Sequence, residues 1–379
     1  MSPTWAVACT TIEAPAQAEA FAAHHLALGA SRVLLFLDEP RDAAAYDLDG
    51  PVAVVACDEA HWRGRRPADH RHRQTRNAEA ARRLAGTDWV ASLDADEFLL
   101  PRGGSVAELL AAVPEGIGAW RVPAAERAAV GGWRDDALDL GGVAKLRREG
   151  ERLGRRLWGE RIGRAFPDGF QGHSLGKSFL RTERADLRFR IHLAVGAAGP
   201  APEAVAREEE ALLLHCFPTS FPDWLSKFAR RAGSPERLAA MSARERRKYE
   251  LHAAWAREGG EPRRLFEALC VLGEAEAAAL VAEGRALRIE PPDLGALRAS
   301  LPRRALPPLP GGLRPAVRLV GAADPAVLRL LAARGWGEGG GVAVAPRRPG
   351  GPPGPEGAIP WVVELDKPRD VLARIEGAL

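Results

Sequence analysis

The residues best suited to chemistry in this chain are Asp94 and Asp96, in the run Trp89-Val-Ala-Ser-Leu-Asp94-Ala-Asp96-Glu97-Phe98. An apolar strand ends in two carboxylates separated by one residue. In extended chain, residues i and i+2 face the same side, so Asp94 and Asp96 are expected to converge. Converging carboxylates repel unless something positive lies between them. A hard divalent cation, Mn2+ or Mg2+, is the natural partner. It takes one or two protein carboxylates and completes its shell with water and phosphate oxygens. The triplet is therefore expected to hold a metal-bound diphosphate, with a solvated acidic turn as the alternative.

Strand–helix alternation must position those acids. Trp5–Thr10, Arg32–Asp38, Val52–Asp58 and Trp89–Leu93 are short, apolar runs. Between them lie an Ala-rich helical stretch, Glu13–Leu28, stopped by Gly29, and a second helix from Pro67 to about Leu84. Strands apolar on both faces and separated by helices predict an α/β fold, a mostly parallel sheet covered by helices on both sides. Ligands of such sheets gather beyond the carboxyl ends of the strands, where Asp38, Asp58 and Asp94 stand. After residue 100 the pattern loosens, and residues 124–172 are Arg- and Gly-rich with little periodicity. Lys177–Arg181, Leu187–Leu193 and Ala211–Phe217 then read as strands and Pro222–Ala232 as a helix. Residues 234–300 are expected to be a helical segment. Residues 301–379 are expected to be a Pro/Gly-rich linker and a small α/β unit, with strands at 317–320, 342–345 and 361–365 and helices at 325–334 and 368–376.

Composition excludes several classes. With 53 basic and 50 acidic residues among 379, the balance is too even for a dedicated nucleic-acid binder. Only 5 of the basic residues are lysine, so a single arginine carries little information. The run Arg63–Arg73 could steer an anionic substrate or is simply a solvated face, and His70 and His72 lack companions at zinc spacing. The four cysteines are scattered, without a CxxC pair, as expected of a reducing, cytoplasmic setting. Met1–Gln17 has no Lys or Arg, so no secretory signal is expected, and no 18-residue apolar stretch exists to span a bilayer, leaving peripheral contact as the only membrane association.

The strand-DxDEF pattern after several strand–helix units resembles the nucleotide-sugar glycosyltransferases of the GT-A fold, in particular the family 2 branch that opens with a strand, an Asn-Glu pair and a helix ending in Tyr-His. Thr11-Ile12-Glu13-Ala14-Pro15 stands where that branch has Asn-Glu-Ala-Pro, with Ile12 at the Asn position. Glu19 falls at the second Glu, Ala20 at a Trp, and His24 or His25 at the helix His. Gln74, Trp120 and Lys177 match further positions. His215, then Thr219-Ser220-Phe221 and Lys227, is similar to the branch's closing His, Lys-Ser and Lys. The resemblance covers about residues 4–233, which it marks as the glycosyltransferase domain.

This resemblance implies a hexosyltransferase-like enzyme, of the kind used in polysaccharide biosynthesis, that moves a sugar from a nucleotide-sugar donor to a glycan or other hydroxyl acceptor with inversion. A UDP-sugar is the favoured donor. Asp94, Asp96 and His215 would hold the metal, the imidazole serving as third ligand. Thr11, Glu13, Asp38, Gln74, Asp94 and Lys177 would contact the nucleotide sugar, with Glu13 and Asp38 at the nucleoside. A strand-terminal histidine satisfied by backbone is the alternative for His215. His192 is its substitute, and His173 reads as a loop residue. The acceptor's base should follow the DxD; Glu126, Asp135, Asp136 and Asp168 are available, and Glu126 is chosen. Two other functions compete. A phosphotransferase of the haloacid dehalogenase type is disfavoured by Phe98, where it expects Thr or Val. A catalytically inactive sugar-nucleotide or glycan-binding protein of the same fold is the stronger alternative.

Overall fold

The computed structural model describes residues 2–39, 46, 48–135, 138–148, 152–232, 238–239 and 241–303, with the strands at 317–320, 342–345 and 361–364. Contacts divide the chain into two units, Met1–Asp38 with Pro51–Leu301, and Glu39–Gly50 with Pro302–Leu379.

The first unit opens with β1 (Trp5–Thr11), α1 (Pro15–Ala27), β2 (Arg32–Leu37) and β3 (Val52–Ala56). There follow α2 (Glu59–Trp62), α3 (His70–Leu84), β4 (Trp89–Ser92), β5 (Glu97–Pro101), α4 (Val106–Ala111), β6 (Ala119–Val122), β7 (Ala124–Val130) and β8 (Gly142–Lys145). The chain continues through α5 (Leu153–Ala165), β9 (Lys177–Arg181), β10 (Arg188–Phe189), β11 (Ala194–Gly196), β12 (Gly199–Pro200), β13 (Ala204–Val205), β14 (Ala211–His215) and α6 (Phe221–Ala232). Its last elements are α7 (Ala243–Arg257), α8 (Pro262–Cys270), β15 (Val271–Leu272), α9 (Glu274–Ala282), β16 (Ala286–Ile289) and α10 (Leu294–Ala299).

The main sheet has the order β13-β6-β9-β4-β1-β2-β3. Strands β4, β1, β2 and β3 run parallel, and β9 runs antiparallel between β4 and β6. The parallel strands are the ones whose apolar runs were continuous: Val7, Cys9, Leu35, Phe36, Trp89 and Val90 are all fully buried. The expected α/β architecture, a mostly parallel sheet with helices, is therefore the one observed. A second sheet, β16-β8-β7-β14-β5 with β15 beside β7, is mixed. The chain crosses from the first sheet to the second at three places, between β4 and β5, between β6 and β7 and between β13 and β14. The candidate site lies at the first crossing.

Residues 234–300, expected as a separate helical segment, belong to the first unit. β16 pairs antiparallel with β8, and Phe266, Leu265 and Leu269 of α8 pack with Trp224 and Phe228 of α6. The boundary expected at 233 is therefore not a boundary of the fold. The expected strand 187–193 shortens to β10, and the aperiodic stretch after residue 124 contains β7, β8 and α5. In the second unit, β17 (Val317–Val320), β18 (Val342–Ala345) and β19 (Trp361–Glu364) form a parallel sheet of order β18-β17-β19. The helices expected at 325–334 and 368–376 lie outside the described residues. No helix among the described residues is long and apolar enough to cross a membrane.

Helix α1 carries two buried histidines in its last turn. The Nδ1 of His25 bonds the Phe21 carbonyl at 2.8 Å, while its Nε2 has no partner. The Nε2 of His24 bonds the Leu99 carbonyl at 2.8 Å. Burial pushes both below the ordinary histidine value, His25 further, with His24 adding to the effect on it. Both are thus neutral when folded and protonate on unfolding in mild acid. The unfolded chain then binds more protons, so stability is full above pH 6.5 and falls as pH drops toward the lowered folded values. Denaturant melts should give a lower stability at pH 5.5 than at pH 7.5, with His25 contributing more of the difference than His24. A His25→Leu variant should flatten that dependence, and an unchanged slope would refute the assignment.

Candidate active site

The carboxylates at the end of β4 do not lie in extended chain as expected. Residues 94–97 form a turn, closed by the Glu97 N–H donating to the Asp94 carbonyl at 3.0 Å. The Glu97 side chain reinforces it, its Oε2 accepting the Asp94 N–H at 2.8 Å. A turn fits because β4 belongs to one sheet and β5 to the other, and the backbone must change direction between them. The turn keeps both acids in one cluster, each beside a different cation.

Asp94 Oδ2 accepts from Lys177 Nζ at 2.8 Å and Asp94 Oδ1 from Gln74 Nε2 at 2.6 Å. Lys177 opens β9 and also lies 3.4 Å from Glu97 Oε2. Asp96 Oδ2 accepts from Lys227 Nζ at 2.9 Å, and Lys227 also meets Asp223, four residues earlier on α6, at 3.0 Å. The other oxygen of Asp96 faces His215 Nε2 at 3.7 Å. Burial alone would raise both aspartate pKa values. Lys177 at Asp94, and Lys227 with His215 at Asp96, overcome it and hold both carboxyls below their usual range. The same carboxylates overcome burial at the two lysines and keep them firmly charged.

His215 ends β14, where its register partners are Glu97 on β5 and Glu126 on β7. It is buried, and burial pushes its pKa down against the pull of Asp96. Its Nδ1 has no hydrogen-bond partner. Two further histidines lie in line with it: His173 is tilted against it at 4.8 Å between ring centroids, and His192 is tilted against His173 at 4.1 Å. His173 Nε2 donates to Glu97 Oε1 at 2.7 Å, which leaves Nδ1 as the bare nitrogen. His192 is pushed down to about 3 by burial, with His173 and Lys177 adding to it. Ligand atoms of Glu97, His173 and His215 all lie within 4.8 Å of one another.

The donor set suits a divalent cation. Ligands around Mg2+ lie at about 2.1 Å, so adjacent corners of an octahedron sit about 3 Å apart and opposite corners about 4 Å. The Asp96–His215 separation of 3.7 Å lies between those two spacings, close enough for both to reach one cation, and neutral imidazole suits Mn2+. Asp94, Asp96, Glu97 and Asp223 face Lys177 and Lys227, so with neutral imidazoles the cluster holds two more carboxylates than ammonium groups. Buried charge of one sign is costly, and a divalent cation would cancel that excess.

The other expected residues are placed as follows. Thr11 is buried at the end of β1, its Oγ1 accepting the Glu13 N–H at 2.9 Å. Glu13 acts on the charge of Lys227 and so belongs to the periphery of the cluster. Asp38 is engaged by a double bond pattern from Arg73, at 2.7 Å from both Nε and Nη2, and by Arg66. Glu126, chosen as the base, is fully buried, and both its oxygens already accept hydrogen bonds from Lys145, Gln171 and Gly172. A base needs reach to the hydroxyl it deprotonates, and this carboxylate has none. Asp168 pairs with Arg244 and Arg147, and Asp135 with Arg263. Asp136 lies outside the described residues. Sequence reading missed Glu97 and His173. The Asp94–Glu97 spacing, an acid three residues after a turn-starting Asp, was the available signal for the first; nothing local marks the second.

No protein-family model matches the chain, and no curated protein does. Among solved structures 35 chains match. One is a mannosyltransferase from Pyrobaculum calidifontis in complex with GDP-Man and Mn2+, with TM-score 0.31 and 14% identity over 75% of this chain and 80% of that one. Another is mouse xyloside xylosyltransferase 1 in its apo form, with TM-score 0.22 and 16% identity over 48% of this chain and 68% of that one.

Proposed function

We propose that this chain is a glycosyltransferase that takes a sugar from a nucleoside diphosphate donor, with a GT-A arrangement of its first sheet. The observation that carries the reading is the buried cluster at the end of β4, where Asp96 and His215 stand at ligand spacing and carboxylates outnumber lysines by two. Asp96 and His215 would hold a Mn2+ or Mg2+ ion, with Asp94, fixed by Gln74 and Lys177, behind them. The cation supplies charge stabilisation for a leaving diphosphate. Lys177 and Lys227 keep the carboxylates ionised and add positive charge where the diphosphate would lie.

In the reaction the acceptor oxygen bonds to the anomeric carbon and the bond from that carbon to the diphosphate breaks, its electron pair leaving on the diphosphate. The hydroxyl proton must pass to a base. Glu126 is buried with both oxygens bonded, and the unpartnered Nδ1 of His173 is buried as well, so neither meets an acceptor hydroxyl directly. Thr11, Glu13 and Asp38 stand at the strand ends where a nucleoside would collect. Donor sugar and nucleobase are read out by one experiment: release of nucleoside diphosphate from a panel of UDP- and GDP-sugars, with Mn2+ and with chelator. Metal-dependent release is expected for at least one donor. One equivalent of bound Mn2+ with no release from any donor, with or without sugar acceptors, would favour a binding protein instead.

A further inference from the structure

We propose that Glu126 is a positioning residue, which clamps the loop 169–173 so that the histidines of the cluster meet their partners. The metal half of this inference rests on the function proposed above; the clamp itself does not.

The Glu126 carboxylate is gripped on all sides. Lys145 Nζ donates to Oε1 at 3.0 Å, the Gln171 N–H to Oε2 at 2.8 Å, and the Gly172 N–H to Oε2 at 2.7 Å. The Lys145 ammonium also donates to the Gly169 carbonyl and lies 4.9 Å from the centre of the Trp158 ring. One buried ion pair from β7 and β8 thus holds three backbone groups of a single loop. Helices close it from the side. Trp224 Nε1 of α6 donates to Gln171 Oε1 at 3.0 Å, Gln171 Nε2 donates to Cys270 Sγ of α8 at 3.1 Å, and Lys248 of α7 donates to the Gln171 carbonyl.

The output of the clamp is the next two residues. Gly172 lies against the His215 ring so closely that a Cβ there would come within 2.4 Å of Cε1 and Nδ1. His173 follows and donates to Glu97. The loop leaves through Gly176, whose φ of 80° and approach to the Val122 carbonyl exclude a side chain. Replacing a buried ion pair by apolar residues often leaves stability unchanged, so this pair is poorly explained as a stabiliser. What apolar side chains could not do is fix two amides, a carbonyl and, through them, the rotation of two imidazoles. Partners that orient metal-binding histidines commonly alter metal affinity about 10–100-fold when removed.

Glu126→Gln alone leaves Lys145 buried without its partner, and misfolding would obscure the result. The double variant Glu126→Gln with Lys145→Met removes both charges together. It is expected to unfold at a midpoint close to that of the unaltered chain, to bind Mn2+ about 10–100-fold more weakly by electron paramagnetic resonance titration of free Mn2+, and to exchange the Gln171 and Gly172 amides at least tenfold faster while β1 and β2 are unchanged. Glu126→Asp, which keeps the charge, should restore part of the protection. A folded double variant with unaltered Mn2+ affinity and unaltered loop exchange would overturn the proposal. If the unaltered chain takes no Mn2+, the metal reading fails on its own. Amide exchange then decides the clamp: acceleration supports it and unchanged exchange refutes it.

Discussion

Asp96→Asn should reduce metal-dependent donor turnover about a thousandfold, the upper range for losing one stabiliser of a developing anion, here the cation that Asp96 would hold. The substitution keeps shape and removes one negative charge. Asp96 is the carboxylate that faces His215, and its partner Lys227 retains Asp223 at 3.0 Å. Stability should therefore fall by only about 1.5–3 kcal/mol, the range for a hydrogen bond to a charged group. A typical domain holds about 5–15 kcal/mol, so the variant should remain folded. Paired measurements of kcat and of the urea midpoint separate the two effects. A variant with turnover within about threefold of the unaltered chain would remove Asp96 from the site, since one lost stabiliser normally costs far more.

Lys177→Met should show the opposite balance, a large loss of stability. Lys177 is 3% exposed at its side chain and is shared by Asp94 and Glu97. Removing one member of a buried pair leaves the other charge uncompensated and costs about 3–5 kcal/mol. Here two carboxylates lose their cation, and the cluster's negative excess grows. The variant should melt well below the unaltered chain, and Mn2+ should raise its melting temperature more than it raises that of the unaltered chain. That second arm separates an electrostatic cause from lost packing, because methionine fills much of the lysine volume. An equal Mn2+ shift in both proteins would count against a cation site in this cluster.

The sequence made the parallel sheet legible because β1, β2 and β4 are buried on both faces, and burial on both faces writes itself as an unbroken apolar run. The end of β4 was legible for the same reason, since acids directly after such a run stand out. The turn at residues 94–97 was not, because its direction depends on a second sheet that the local pattern does not announce. β7 was hidden by its own charges. Glu126 and Arg127 interrupt an Ala-rich stretch, yet both are buried. Glu126 reads as an accessible acid because what neutralises it, Lys145, is 19 residues away and lies on a neighbouring strand. His173 sits in a glycine-flanked loop with no periodicity, so its place beside His215 follows only from the folded path. The division at 233 failed because the charged, Ala-rich surface of α7 reads as an independent helix, whereas the buried faces of α6 and α8 carry the contacts that join it.

The closure of the 169–173 loop by α6, α7 and α8 also bears on how the protein is made. A chain leaving the ribosome exposes its N-terminal residues first, at about 5–20 residues per second. β1 to β4 can pair early, and the acids of residues 94–97 then wait in an unfinished protein. Gln171 gains Trp224, Lys248 and Cys270 only as those residues emerge, and β8 gains β16 later still. The acidic turn is thus synthesised well before the histidines that face it are locked. During that interval the nascent chain holds a half-built anionic pocket, and the loop that faces it is locked near the close of translation of the first unit rather than with its first sheet.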